Sequence, residues 1–84
     1  MEKGSTETRA AIIETINNQI RDNNPQEVKV TFNRLVKSGK TKEEAIDLIG
    51  CALAVEIFEI LKYKRMFNES RYVANLKKLP KLPS

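Results

Sequence analysis

The stretch from Thr41 to Tyr63 constrains the fold of this chain more than any other, because its residues are apolar on nearly every side of a helix. It begins with Thr41 and, three residues later, Glu44, the capping-box pattern that starts helices. Gly39, just before it, suits the left-handed end of a preceding helix. A helix that is apolar nearly all round must be enclosed by neighbours. The sequence therefore predicts an all-α fold, a small four-helix bundle around a long central third helix.

Three shorter amphipathic segments would supply the neighbours of that helix. Isoleucines recur at helical spacing in the first segment, with Ser5 or Thr6 as its cap. Asn24 is expected to cap the second, with Pro25 at its first helical position, and Asn68 is expected to cap the last. One domain over residues 1–84 is predicted, with helices over residues 6–22, 25–38, 42–63 and 69–79 and a frayed tail over residues 80–84.

The large side chains of the third helix fall into two arcs when they are plotted at 100° per residue. The narrower arc contains Leu48, Cys51, Val55 and Phe58, and a stripe with alanines and glutamates is expected to separate it from the wider one. Two contact surfaces suit a helix that lies between others, or one that keeps a surface for a second copy of the chain. The residues expected to form such an interface are Leu48, Val55 and Phe58.

Positive charge is concentrated at the C-terminal end of the chain. Residues 1–61 carry eight basic and ten acidic side chains, whereas residues 62–84 carry seven basic and one acidic. A basic stretch with tyrosines nearby is a pattern that a nucleic-acid backbone or another polyanion would contact. Solvated side chains covering a helix end are the favoured alternative, since the net charge is only +4. The candidate polyanion contacts are Lys62, Lys64, Arg65, Arg71, Lys77, Lys78 and Lys81.

The residues that usually carry catalysis are scarce in this chain. It has no histidine, so the commonest general base and metal ligand is missing. Cys51 has apolar neighbours in mid-helix, which predicts an inert core thiol rather than a nucleophile. Glu56 and Glu59 lie one turn apart and could share a cation or a proton, but a salt bridge to an Arg or Lys of a neighbouring helix, or simple exposure, is the favoured interpretation. We therefore expect no cofactor, no metal site and a non-enzymatic role.

A cytoplasmic location without membrane contact is expected. The single cysteine cannot form an internal disulfide, and the N-terminal residues lack the pattern of a secretory signal. The only stretch that resembles a membrane span, residues 45–61, carries three acidic side chains, which are costly at the centre of a bilayer.

Four motifs along the chain carry a resemblance to a known family. They are Asn18-Gln19, residues 24–28 (NPQEV), residues 44–50 (EAIDLIG) and residues 67–72 (FNESRY) followed by Leu76 and Leu79-Pro80. On these motifs, from about residue 9 to residue 80, the chain resembles a family of small bacterial helical proteins known only as a domain of unknown function.

Relatives in that family often place histidines where this chain has Arg9, Ile13, Glu43 and Asp47, and the resemblance implies that such a set could bind a metal. All four positions differ here, so no metal site is carried over. Arg9 lies amid the isoleucines of the first helix, where a guanidinium needs an acidic partner. We predict an ion pair from Arg9 to Glu43 or Asp47.

Together these patterns favour a non-enzymatic interaction or structural module, with a homodimer among the options. The sequence does not identify the partner. Nucleic-acid or polyanion binding through the basic C-terminal third is the alternative, and a carboxylate-based metal binder or enzyme is the weakest one. A helix-turn-helix DNA reader is disfavoured, because Glu43, Glu44 and Asp47 stand where a recognition helix would meet DNA.

Overall fold

Residues 2–82 form four α-helices joined by short turns. The computed structural model describes the backbone of residues 2–82 and the side chains of residues 9–82, so Pro83 and Ser84 of the predicted tail lie outside the described residues. No strand occurs within residues 2–82, and the all-α prediction is confirmed. The helices are α1 (Glu2–Asp22), α2 (Gln26–Lys37), α3 (Lys42–Tyr63) and α4 (Glu69–Lys78).

The third helix is central, as the sequence predicts. It packs against α1, α2 and α4, while α2 also contacts α1 and α4. All four helices contribute side chains to a single core, because each has one apolar face that must be removed from water. The fully or almost fully buried apolar residues are Ile16, Val28, Leu35, Ala45, Ile49, Ala52, Leu53, Tyr72, Leu76 and Leu79.

Local capping chemistry sets both ends of the α2–α3 connection. The backbone N–H of Thr41 donates to Glu44 Oε1 at 2.8 Å, and the N–H of Glu44 donates to Thr41 Oγ1 at 3.0 Å, which confirms the capping box. Gly39 has φ of +113°, a conformation that side chains rarely adopt. The N–H of Gly39 donates to the carbonyl of Val36, and the N–H of Lys40 donates to that of Leu35. These two hydrogen bonds form a Schellman motif at the C-terminal end of α2.

Two predicted helix starts are wrong. Ser5 and Thr6 lie inside α1, which begins at Glu2. Asn24 does not cap α2: Pro25 occupies the N-cap position without a side-chain hydrogen bond. The reason is that Asn24 belongs to the end of α1, since its N–H donates to the carbonyl of Gln19 at 3.0 Å in a second Schellman turn. The cap of α4 is confirmed, because Asn68 Oδ1 accepts from the N–H of Arg71 at 3.0 Å.

The orientation of α3 in the bundle differs from the two-arc prediction. Ala45, Ala52 and Glu56, expected to separate the arcs, lie in the buried face. Small side chains there let neighbouring helices come close to α3, whereas Cys51, expected in the core, is exposed on the opposite side. Leu61 is 75% exposed, so the predicted enclosure of α3 fails near its C-terminal end as well as on the side that carries Cys51.

Candidate interaction surface

The predicted interface residues lie along one side of α3, where Leu48 is still partly buried against the core. Phe58 is 54% exposed, and Leu48 and Val55 are half-buried. Cys51 lies between them and is exposed. Together with one charged residue at each end, they follow one another at steps of four and three positions along the helix. We call this row the α3 seam, and its members are Glu44, Leu48, Cys51, Val55, Phe58 and Lys62.

Beyond the seam, the turn between α3 and α4 presents further apolar side chains to solvent. The N–H of Asn68 donates to Glu56 Oε1 at 3.0 Å, so α4 begins level with Glu56, and the last turn of α3, residues 60–63, is exposed. The large apolar residues exposed in this overhang are Phe58, Ile60, Leu61, Tyr63, Met66 and Phe67, and we call residues 58–67 the hairpin tip.

Cations and aromatic rings pack together on the hairpin tip. The rings of Phe58 and Tyr63 meet edge to face, with centroids 6.5 Å apart. Lys62 Nζ lies 5.1 Å from the ring centre of Phe58, and the guanidinium of Arg65 lies 5.1 Å from that of Tyr63. Such cation–π contacts hold exposed side chains in defined positions. The tip is therefore a mixed apolar and positive surface.

Glu56 and Glu59, the two carboxylates considered for catalysis, do not share a site. Glu56 is completely buried and accepts from Arg71 Nε at 2.6 Å and Arg71 Nη2 at 3.0 Å, in addition to the N–H of Asn68. The hydrogen bonds from Arg71 hold the pKa of Glu56 below its usual value, despite the opposing effect of burial. Glu59 instead approaches Arg65 Nη1 at 3.6 Å, and its Oε1, shielded from solvent, accepts no hydrogen bond. Glu56 is thus paired with an arginine of a neighbouring helix, as the favoured interpretation predicts, whereas the arginine near Glu59 lies in the turn that follows α3.

The seven candidate polyanion contacts divide into three groups. Lys62, Lys64 and Arg65 lie on the hairpin tip, and Lys77 lines a shallow depression beside Glu27 and Glu69. Arg71, Lys78 and Lys81 line a groove of about 530 Å³ between α3, α4 and the segment after α4. We call it the α3–α4 groove, and its other lining residues are Val55, Glu59, Asn75 and Leu82.

The four positions that carry histidines in the resembling family come together at one shallow pocket. Arg9 and Ile13 of α1 and Glu43 and Asp47 of α3 all line it. Arg9 Nη2 donates to Asp47 Oδ1 at 2.7 Å, so Asp47 is the acidic partner of Arg9. The side chains of Arg9 and Asp47 are 59% and 43% exposed. The ion pair is therefore present, but Arg9 is not buried among the isoleucines, which was the reason for predicting the pair. Within residues 9–82, no group of three or more His, Cys, Asp or Glu side chains could hold a metal ion.

Two polar contacts between distant segments have no signature in the sequence. Arg34 donates to the carbonyl oxygens of Leu79 and Leu76 at 2.7 and 3.0 Å, at the C-terminal end of α4. The buried hydroxyl of Tyr72 donates to Gln19 Oε1 at 2.9 Å, and burial raises the pKa of Tyr72. Each contact spans more than 40 positions, so helical periodicity could not reveal it.

No family model, no curated protein and no solved structure matches this chain. Among the helices of residues 2–82, none combines the length and the apolarity that crossing a membrane requires.

Proposed function

We propose that this domain is a non-enzymatic interaction module that binds protein through the α3 seam and the hairpin tip. The observation that carries the proposal is the row of large apolar side chains left in water between Phe58 and Phe67, of which Met66 is 88% exposed. Large contiguous apolar patches are uncommon on monomeric proteins and often mark interaction sites.

The composition of this surface resembles the centre of a protein–protein interface. Aromatic residues, Met and Arg are enriched at such centres, and Phe58, Tyr63, Arg65, Met66 and Phe67 provide all of these types within ten positions. Aromatic rings already held by neighbouring cations would lose little conformational freedom on binding.

The exposed thiol of Cys51 offers a direct test in the native cell extract. Because Cys51 is the only cysteine, a photoreactive maleimide can be attached at the middle of the α3 seam without any substitution. We expect irradiation to yield discrete protein adducts. A matched control carries the same label on α2 in the C51A/V30C variant, because Val30 is 62% exposed and faces away from the seam. Equal labelling of protein from both positions, or from neither, would contradict the proposal.

Cytoplasmic localisation is part of the same proposal. An exposed unpaired thiol such as that of Cys51 persists in a reducing compartment and tends to pair or oxidise outside it. Membership of the resembling family is also proposed, and the convergence of its four marked positions at one pocket supports it.

The second candidate function is polyanion binding in the α3–α4 groove. Lys78 and Lys81 supply positive charge there with Asn75 beside them, whereas Arg71 is already committed to Glu56. Fluorescence anisotropy with short single- and double-stranded nucleic acids tests it. Binding should weaken steeply with added salt and be lost in K78A/K81A, but not in the charge-matched control K29A/K37A on α2. The absence of binding at low salt would end this candidate.

A further inference from the structure

The α3 seam has the spacing of a coiled-coil contact line. Its six members follow one another at steps of four, three, four, three and four positions, which is the a/d repeat of a coiled coil. Glu44, Cys51, Phe58 and Lys62 are exposed, whereas Leu48 packs partly against the core and Val55 lines the α3–α4 groove. In the isolated chain, four of the six seam positions therefore face water.

The seam is complementary to itself when two copies run in opposite directions. If the midpoint is placed at position 53, Leu48 meets Phe58 of the partner subunit, and Cys51 meets Val55 of the partner subunit. An a position then faces a d position in every layer, as in antiparallel coiled coils. The apolar layers thus match in both halves of a twofold-symmetric contact.

Charge complementarity fixes the same direction and the same register. The acidic end of the seam, Glu44, then faces Lys62 of the partner subunit, and Lys62 faces the partner's Glu44. A parallel arrangement would instead bring like charges together at both ends, which is unfavourable. Ala54, beside the midpoint, is small enough to let two helices approach closely.

We propose that a second copy of this chain docks antiparallel on the α3 seam, forming a symmetric dimer centred near position 53. The inference rests on the proposed interaction function and names the partner for the seam. Phe58 is the largest apolar side chain of the seam and would lie inside this contact. The rest of each hairpin tip, residues 63–67, would extend beyond the contact.

Sedimentation velocity over a wide range of protein concentrations tests the dimer. We expect the wild-type chain to self-associate and F58E to raise the dimer Kd at least about 100-fold, because a charge would replace a buried ring. The matched control V30E, which puts the same charge at an exposed apolar position on α2, should leave the Kd unchanged. A wild-type chain that stays monomeric at about 1 mM, far above the Kd of common dimers, would overturn the inference.

A double-substitution experiment tests the register. K62E would oppose two glutamates at each end and should weaken the dimer about tenfold, since each exposed ion pair contributes modestly. E44Q in the K62E background should recover at least about threefold, because glutamine removes the repulsion and still serves in a capping box. Within one chain these positions lie about 27 Å apart along the helix, so such coupling can arise only between copies. K77E, with the same charge change on α4, is the control, and additive effects of K62E and E44Q would overturn this register.

Distance measurements between spin labels test the direction of the helices. With K42C as the only labelled site in a C51A background, antiparallel helices place the two labels about 33 Å apart along the helix axis, from the rise of 1.5 Å per residue. Labels about 8 to 10 Å apart, the spacing of adjacent helix axes, would indicate a parallel pair and overturn the proposal.

The photoreactive label on Cys51 separates failure of the dimer from failure of the interaction function. Adducts that contain two copies of this chain support the dimer. Adducts only with other proteins would overturn the dimer while the interaction function stands, and no adducts from the seam would overturn both.

Discussion

Glu56 is the one buried acid of the described core, and its environment explains why it can remain ionised there. Two nitrogens of Arg71 and the N–H of Asn68 donate to its two oxygens, so the carboxylate exchanges water for three hydrogen bonds. Because Asn68 and Arg71 belong to the start of α4, these contacts tie α4 to the middle of α3. The polar cluster therefore sets where α4 begins and where the hairpin tip starts to overhang.

Removing the arginine of this cluster should be strongly destabilising. Arg71→Met would leave a buried, uncompensated carboxylate, and breaking a buried pair in this way costs about 3 to 5 kcal/mol. Arg71 is about one third exposed, which places the expected loss at the lower end. Urea unfolding followed by circular dichroism measures the free energy of unfolding. Lys78→Met on the same helix should cost less than about 0.5 kcal/mol, and equal losses in both variants would contradict the assigned role.

The same carboxylate predicts how stability depends on pH. The pKa of Glu56 is lowered in the folded chain from an ordinary value of 4.5. Its contribution is therefore fully present above that ordinary value and is lost as the pH falls through the lower folded pKa. We expect wild-type and E56Q proteins to differ in free energy of unfolding at pH 7 and to converge as the pH falls below about 4. A difference that is unchanged by acidification would show that ionisation of Glu56 does not contribute.

At the scale of helices, Arg34 is the counterpart of this cluster at the other end of α4. Its guanidinium donates to two carbonyls of the last turn, where unpaired acceptors and the negative end of the helix dipole favour a cation. The start of α4 is thus held by α3 and its end by α2.

Arg34→Met should lower the free energy of unfolding by about 1 to 3 kcal/mol, since methionine keeps much of the aliphatic stem but donates no hydrogen bond. Arg21→Met provides the control, because Arg21 pairs only with its neighbour Asp22 at the surface and should cost less than about 0.5 kcal/mol. Amide hydrogen exchange should also show faster opening of the last turn of α4 in Arg34→Met. Unchanged exchange there would argue against this capping role.

Side chains of α1 pack directly against the backbone of α3 at Gly50. A Cβ added at this position would lie 3.3 Å from Ile12 Cγ2, so the side chain of Ile12 must shift by a few tenths of an ångström. Alanine gains about 1 kcal/mol of helix propensity over glycine, so Gly50→Ala should change the free energy of unfolding by less than about 1 kcal/mol. Gly50→Leu should cost at least about 1 to 3 kcal/mol from overpacking. Thermal unfolding of both variants checks the pair, and a tolerated leucine would mean that the helices separate easily.

The success of the sequence predictions follows the range of the interactions involved. The capping box at Thr41, the turn at Gly39 and the cap at Asn68 depend on residues within five positions, and all are confirmed. The sequence analysis predicted that Glu56 forms a salt bridge with an Arg or Lys, but it did not identify Arg71 as the partner. That partner depends on where α4 lies, which no local pattern encodes.

The errors arose where two elements compete for the same residues or the same space. Asn24 can cap one helix or end another, and the Schellman turn of α1 takes it. On α3, periodicity separates the faces but does not say which face the neighbours cover. The alanines were therefore taken for a boundary, and Cys51, which is exposed, for a core residue.

For the whole molecule, the unequal lengths of the last two helices decide what remains exposed. α3 has 22 residues and α4 has 10, so α4 cannot cover its longer neighbour. A chain of this size also buries a modest share of its surface, which limits its stability as a monomer. Docking of a second copy on the α3 seam would reduce the exposed apolar area and would raise the stability of the folded chain.

This relation predicts that thermal stability depends on protein concentration. A partner that binds only the folded chain adds about 2.7 kcal/mol when it is present at 100 times its Kd. In a domain of this size, that should raise the Tm by about 10 °C or more. Differential scanning calorimetry at several concentrations should show this rise for the wild type and for V30E. F58E should keep a constant Tm because it does not form the dimer. A wild-type Tm that also stays constant would mean that the folded chain gains no stability from a second copy.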